Sequence, residues 1–218
     1  MTHRVKLRHL FKLFLLTGFL LSLIACENGG MDEQQMLQNA KNYLDKGELM
    51  AAYIELRNTL KKNRKNAEAR YLLASINLKL GDLTSAENEF REAADAGWSQ
   101  EAVQLQIAHI LVNQKKFKQF LDEVESVDTW SVDTRANIAG LRALAEAGLK
   151  NDTKAKNTLE AGRTLNKDSA QVLRTTAILQ LAGILEGDAS STLETALSLH
   201  ADNPEILLIH ASNDVQNK

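Results

Sequence analysis

The chain repeats itself. Ala52, Ala86, Phe120, Ala155 and Ala189 stand in equivalent contexts, at spacings of 34, 34, 35 and 34 residues. A period of this length accommodates one helix–turn–helix unit, which cannot bury its apolar face alone. Stacked neighbours bury one continuous core, so stability becomes roughly a sum of repeat and interface terms. The clearest unit runs from Ala67 to Gly97. In it Gly81 is free to take the left-handed backbone that ends a first helix, and Asp82 is suited to cap the second. Ala86 is small because two helices cross closely there, and Phe90, four residues on, fills the space beside it. The unit before it carries Gly47-Glu48, Ala52 and Leu56. The third replaces Gly-Asp by Lys115-Lys116 and the small alanine by Phe120, which predicts a wider crossing or a shifted packing. The fourth carries Asn151-Asp152, Ala155, Leu159 and Gly162. The fifth carries Gly187-Asp188, Ala189, Leu193 and Ala196, and a lengthened loop leads to Pro204. Pro204-Glu205 opens one more helix, to about Asn217.

Composition agrees with an all-helical array. One proline in 218 residues and 5% aromatics argue against a β-sandwich or barrel, which need many turns and favour aromatic and β-branched residues. A four-helix bundle does not account for the regular alternation of first-helix and second-helix patterns. Residues 67–97 resemble the tetratricopeptide (TPR) pattern, with Leu73-Ala74 for its Leu-Gly pair, then Gly81-Asp82, Ala86, Phe90 and Ala93. The expected fold is therefore an all-α, right-handed TPR-type solenoid of about five helix pairs plus a trailing helix.

The start of the chain has a different character. Residues 1–25 carry Arg4, Lys6, Arg8 and Lys12 and no acid, and Leu13 to Ala25 is an uncharged stretch of 13 residues. Crossing a bilayer takes roughly 20. A basic segment followed by a short apolar one is the layout of a secretory signal peptide, and an uncleaved anchor is the alternative. Leu23-Ile24-Ala25-Cys26 resembles the bacterial lipobox, which implies acylation of Cys26 as the mature N-terminus. The expected division is a signal peptide at 1–25, a lipidated tether at 26–32 and the solenoid at 33–218. The mature protein would face the periplasm on a lipid anchor, and Glu27 in place of an aspartate tilts the expectation toward the outer membrane. Without residues 1–25, 22 basic residues face 28 acidic ones. An acidic body argues against non-specific nucleic-acid binding.

Two stretches say more. Ala51 to Asn63 (AAYIELRNTLKKN), running into Asn66 to Leu73 (NAEARYLL), together with Leu78 to Leu83, Ala86 to Arg91 and Ala93 to Gly97, resembles the TPR-repeat lipoprotein family of PEP-CTERM/exosortase systems. Those systems occur in Gram-negative bacteria that make exopolysaccharide and sort proteins bearing a short C-terminal signal. The resemblance runs from Cys26 to about Pro204; family members are usually far longer arrays, so this chain reads as a short or truncated member. It implies a membrane-tethered scaffold for protein–protein interactions, with polysaccharide-synthesis components among its partners. A TPR lipoprotein serving pilus or outer-membrane-protein assembly is the alternative.

Catalysis is not expected. His3, His9, His109, His200 and His210 are scattered, and there is no H-E-x-x-H, P-loop or G-x-S-x-G. The single cysteine excludes an internal disulfide framework and a multi-cysteine metal site. No metal and no cofactor beyond the lipid on Cys26 are expected. In TPR arrays partners usually lie on the concave surface lined by the first helices. Counting Ala67 as position one, positions 2, 5, 9, 12 and 13 face that groove. They are Gln34, Leu37, Lys41, Leu44 and Asp45, then Glu68, Tyr71, Ser75, Leu78 and Lys79, then Ala102, Leu105, His109, Val112 and Asn113. For the apolar members, helix–helix packing at i, i+4, i+7 spacing competes with a partner site. Only Lys41 and Lys79 approach the Lys/Asn clamp by which some TPRs seize a C-terminal carboxylate. The one basic cluster, Arg57, Lys61, Lys62, Arg64, Lys65 and Arg70, is open to two readings. It either meets an anionic polysaccharide or lipid head groups, or places cations at a helix C-terminus. Trp98 and Trp130 lie near repeat junctions and are expected to pack there. The run Ile206 to Ile209 is apolar on every side, so part of it should be exposed.

Overall fold

A computed structural model describes residues 31–216. The expected signal peptide, Cys26 and the tether as far as Gly30 lie outside the described residues. Within them the chain forms eleven helices and no strand. They are α1 (Glu33–Asp45), α2 (Leu49–Lys62), α3 (Ala67–Lys79), α4 (Leu83–Asp95), α5 (Gln100–Asn113), α6 (Phe117–Glu123), α7 (Val132–Gly148), α8 (Asp152–Asn166), α9 (Ala170–Leu181), α10 (Ala189–Leu199) and α11 (Pro204–Gln216). The first ten pair in sequence as α1/α2 through α9/α10, and α11 trails. No helix among the described residues is long and apolar enough to cross a membrane.

Each first helix starts on a capping side chain. Asp32, Asn66, Ser99, Ser131 and Ser169 each accept a hydrogen bond from the backbone N–H three residues on. Asn203 does the same at the start of α11, taking the N–H of Ile206 at 3.1 Å. Each side chain satisfies one of the donors that a helix start leaves unpaired.

The first helix of every pair ends in the same way. In the second repeat Gly81 N–H bonds to Leu78 O at 3.1 Å and Asp82 N–H to Asn77 O at 2.9 Å, with Gly81 at φ +80°. This pair of bonds is the Schellman ending, which calls for a left-handed residue. Lys115 and Lys150 take the left-handed place without being glycine, at φ +57° and +64°. Left-handed backbone costs an ordinary residue about 1–2 kcal/mol, so the paired hydrogen bonds must hold them there.

The same bonds correct two expected turns. In the fourth repeat the left-handed residue is Lys150, so the turn is Lys150-Asn151 and not Asn151-Asp152. In the fifth, Gly183 ends α9, with its N–H on Gln180 O and that of Ile184 on Leu179 O, both at 2.9 Å. Gly187-Asp188 belongs to a longer link, in which Asp188 caps α10. The expected packing residues still hold: Ala189, Leu193 and Ala196 are buried, as are Ala86, Phe90 and Ala93. The extra link residue is absorbed by starting α10 later on the same register.

The core is a chain of four clusters that share helices. Leu73 and Ile76 of α3 belong to the first cluster, and Ala74 of the same helix to the second. Helix α7 gives Ile138, Leu141 and Ala145 to the second and Ala136 and Ala143 to the third. Helix α9 gives Val172 and Leu179 to the third and Ala177 to the fourth. An inner first helix therefore buries two faces, and no repeat has a core of its own.

Phe120 is accommodated by a shortened second helix. Helix α6 has 7 residues against 13 in α4 and ends at Val124, in extended conformation. Phe120 and Val124 are both fully buried. Arg142 of α7 lies over the Phe120 ring, 5.6 Å from its centre, and donates to the Val124 carbonyl.

Candidate functional site

From α5 onward the first helices pack in a row. α5 packs on α7, α7 on α9, and α9 on α11. Lys41 of α1 and Glu68 of α3, two of the expected groove residues, meet in an ion pair of 2.6 Å. Along this face Gln34, Asp45 and Lys79 are exposed. Ser75 donates its hydroxyl to the Tyr71 carbonyl at 2.9 Å, which occupies the proton it could offer a partner.

The apolar groove residues serve packing and remain partly open. Leu37 and Leu44 lie against the first cluster; Tyr71, Leu78 and Leu105 lie against the second. Tyr71 stacks on Trp98, with ring centres 5.1 Å apart, and meets Phe90 edge-on at 5.3 Å. Burial raises its hydroxyl above the ordinary tyrosine pKa. Trp98 thus packs at the junction of the second and third repeats, as the sequence suggests, and Trp130 packs on the same cluster.

His109 feels the charges of residues far along the chain. Burial holds its pKa below the ordinary 6.5; Glu205 of α11 opposes this and Arg174 of α9 adds to it. Arg174 Nε lies 3.3 Å from Glu205 Oε2, off hydrogen-bond alignment, and has no hydrogen-bond partner. Helices α7 and α9 approach closely. A Cβ on Gly140 would stand 3.2 Å from the Gln171 carbonyl, and Thr175 Oγ1 donates to Gly140 O at 3.1 Å. On the other side of α7, Gly162 of α8 lies against Ala139.

Sequence reasoning places His109 on the groove but misses Arg174, Glu205 and Gly140. A glycine inside a strong helical pattern is the one signal for Gly140. No three His, Cys, Asp or Glu side chains among the described residues are placed to hold a metal ion.

The basic cluster divides. Lys62 donates to the Met31 carbonyl, and Arg70 pairs with Glu89 at 2.6 Å. Arg57, Lys61, Arg64 and Lys65 are exposed.

No protein-family model matches the sequence, and no curated protein matches it significantly. Solved structures do resemble the fold. YrrB, described as a TPR protein with an unusual peptide-binding site, has 17% identity and a TM-score of 0.58, over 88% of this chain and 97% of that one. TTC0263, a thermophilic TPR protein of Thermus thermophilus, has 20% identity and a TM-score of 0.56, over 83% and 98%. The pilF protein of Pseudomonas aeruginosa has 19% identity and a TM-score of 0.56, over 83% and 97%. At these identities the likeness establishes the fold: an all-α TPR-type solenoid.

Proposed function

We propose that the chain is a membrane-tethered scaffold that receives a peptide segment of a partner protein along the face of its first helices. One observation carries this reading. Leu37, Leu44, Tyr71, Leu78 and Leu105 line successive first helices half-buried, and charged Asp45 and Lys79 flank them in the open. Such a strip suits an extended or helical segment, whose apolar side chains take the strip while its polar groups meet the rim. The peptide-binding site ascribed to the YrrB neighbour supports the same use of the fold. The resemblance carried by residues 51–97 favours a partner from an exopolysaccharide or PEP-CTERM protein-sorting system in the periplasm.

A photo-crosslinking residue at Leu78, in the full chain in its native membranes, tests this. The expected result is one dominant protein adduct, absent when the crosslinker replaces exposed Asn88 on α4. Equal adducts at both places would exclude the groove. A pilus or outer-membrane-assembly component in the adduct would instead favour the alternative system.

The tether is the second half of the proposal. Cys26 carries the lipid and holds the protein on the periplasmic side of a membrane, the outer one by preference. Metabolic labelling with a fatty-acid analogue should mark the wild-type chain and leave Cys26→Ser unmarked. Label on the variant would remove the anchor.

A further inference from the structure

The basic residues left over by packing gather in one cleft. Arg57 and Lys61 of α2, Arg64 of the following loop, Arg70 of α3 and Glu89 of α4 surround a cavity of about 330 Å³, with Leu60 also lining it. That volume lies at the lower end of ligand sites, about 300–1,000 Å³. Arg70 is the fixed wall. Its Nε donates to the Arg64 carbonyl at 3.2 Å, and its other nitrogens face Glu89 at 2.6 Å and Glu92 at 3.7 Å. Among the described residues, Arg57, Lys61 and Arg64 find no ion-pair partner. Arg57 and Lys61 stand at i and i+4 on α2 and Arg64 lines the same cavity, so their charges repel one another with no acidic side chain paired to offset them. The dipole of α2 accounts for Lys61 at its C-terminus but not for Arg57 a turn earlier or Arg64 beyond the helix.

We propose that this cleft binds a phosphate group, and that its source is the headgroup of an anionic phospholipid. Four cations line the cleft against one carboxylate, which Arg70 already holds, so three positive charges are left uncompensated. Guanidinium groups match the oxygens of a phosphate in pairs. The position of the cleft points to the membrane. Lys62, beside Lys61, donates to the Met31 carbonyl, and Glu33 accepts from Asn63 at 2.9 Å and Asn66 at 2.6 Å. These bonds hold the start of α1 on the loop that carries Arg64. From Met31 to Cys26 is five residues, a reach of at most about 18 Å when extended. A lipid on Cys26 therefore keeps this end of the array near a membrane surface, where basic residues gain from negative headgroups. The choice of a lipid source rests on the tether proposed above; the phosphate chemistry does not.

The test uses the full chain in neutral detergent, doped with phosphatidylglycerol or phosphatidylcholine, with retained lipid counted by native mass spectrometry. Wild type should retain phosphatidylglycerol and not phosphatidylcholine, and sn-glycerol 3-phosphate should displace it. The triple variant Arg57→Gln, Lys61→Gln, Arg64→Gln should retain at least tenfold less at unchanged helix content. A control triple, Lys154→Gln, Lys156→Gln, Lys167→Gln, should match wild type. Retention by the first triple equal to wild type, or equal losses in both triples, would overturn the site. Binding of inorganic phosphate or sn-glycerol 3-phosphate without phosphatidylglycerol would overturn the lipid source. Absence of fatty-acid label on Cys26, with phosphate binding still lost in the first triple, would sink the tether and leave the cleft standing.

Discussion

The second and third repeats meet the same packing requirement with opposite residue orders. The second puts small Ala86 at the crossing and large Phe90 a turn later; the third puts large Phe120 first and smaller Val124 after it. All four side chains are fully buried. The two repeats part company beyond the crossing. Helix α4 runs its full 13 residues, whereas α6 stops after 7. Counting back from the turn residues Lys115 and Lys150, Arg142 stands where Ile107 stands one repeat earlier. The third repeat thus exchanges an apolar contact for a guanidinium that covers an aromatic ring and satisfies a helix-end carbonyl. The third repeat buries the larger pair, and regular helix is what gives way. A regular period therefore does not oblige each repeat to be built alike.

The largest test removes the ring. Phe120→Ala should destabilise the array by about 3–5 kcal/mol, the range for emptying a buried aromatic site. Urea unfolding followed by helix content measures it, and a loss below about 1 kcal/mol would show that the third repeat is not built on Phe120. Arg142→Met keeps much of the stem and deletes the charged donor to Val124. The expected loss is about 1.5–3 kcal/mol, with early exchange of the α6 amides. Ile107→Met, the matching change one repeat earlier, should cost less than about 1.5 kcal/mol, and equality of the two would dissolve the contrast. Ala86→Leu forces bulk into a crossing whose neighbours leave no room for it, unlike those of Phe120. It should cost about 1–3 kcal/mol, read as a lowered melting temperature; an unchanged one would show that Ala86 does not sit at a close crossing.

The smallest effect concerns the polar link between the same two repeats. Burial pushes the Glu87 carboxyl up, but hydrogen bonds from Arg91 and Lys116 and their charges more than reverse this, so its pKa lies below 4.5. A carboxylate depressed in the folded state adds stability above its unfolded pKa and loses it as pH falls through the folded one. Unfolding midpoints should therefore drop more steeply below pH 4.5 in wild type than in Glu87→Gln. Parallel curves would mean that the link contributes nothing.

Much of the fold is legible in the sequence, and for physical reasons. Capping oxygens, left-handed glycines and buried alanines act within a few residues of themselves, so their spacing survives in the sequence. Gly81, Asp82, Ala86 and Phe90 do as expected, and Leu207 and Leu208 are exposed, at 46% and 69%, while Ile206 is buried. Lys150 escapes notice because an ordinary residue in left-handed backbone leaves no compositional mark. On the candidate face, sequence places Lys41 and Glu68 separately but does not pair them. Which charges reach His109 depends on packing summed over several helix contacts, and Gly140 sets one of those contacts from inside a helix. No local pattern encodes such a sum.

The clasp at the start of α1 has a mechanical consequence. Any pull on the preceding chain reaches Met31 first. There the Lys62 contact and the Asn63 and Asn66 bonds to Glu33 spread it into the loop between the first two repeats. Tension then acts on several bonds side by side instead of peeling α1 turn by turn from its free end. Parallel bonds must break together, so the first repeat resists a steady tug better than its position at the edge of the array implies.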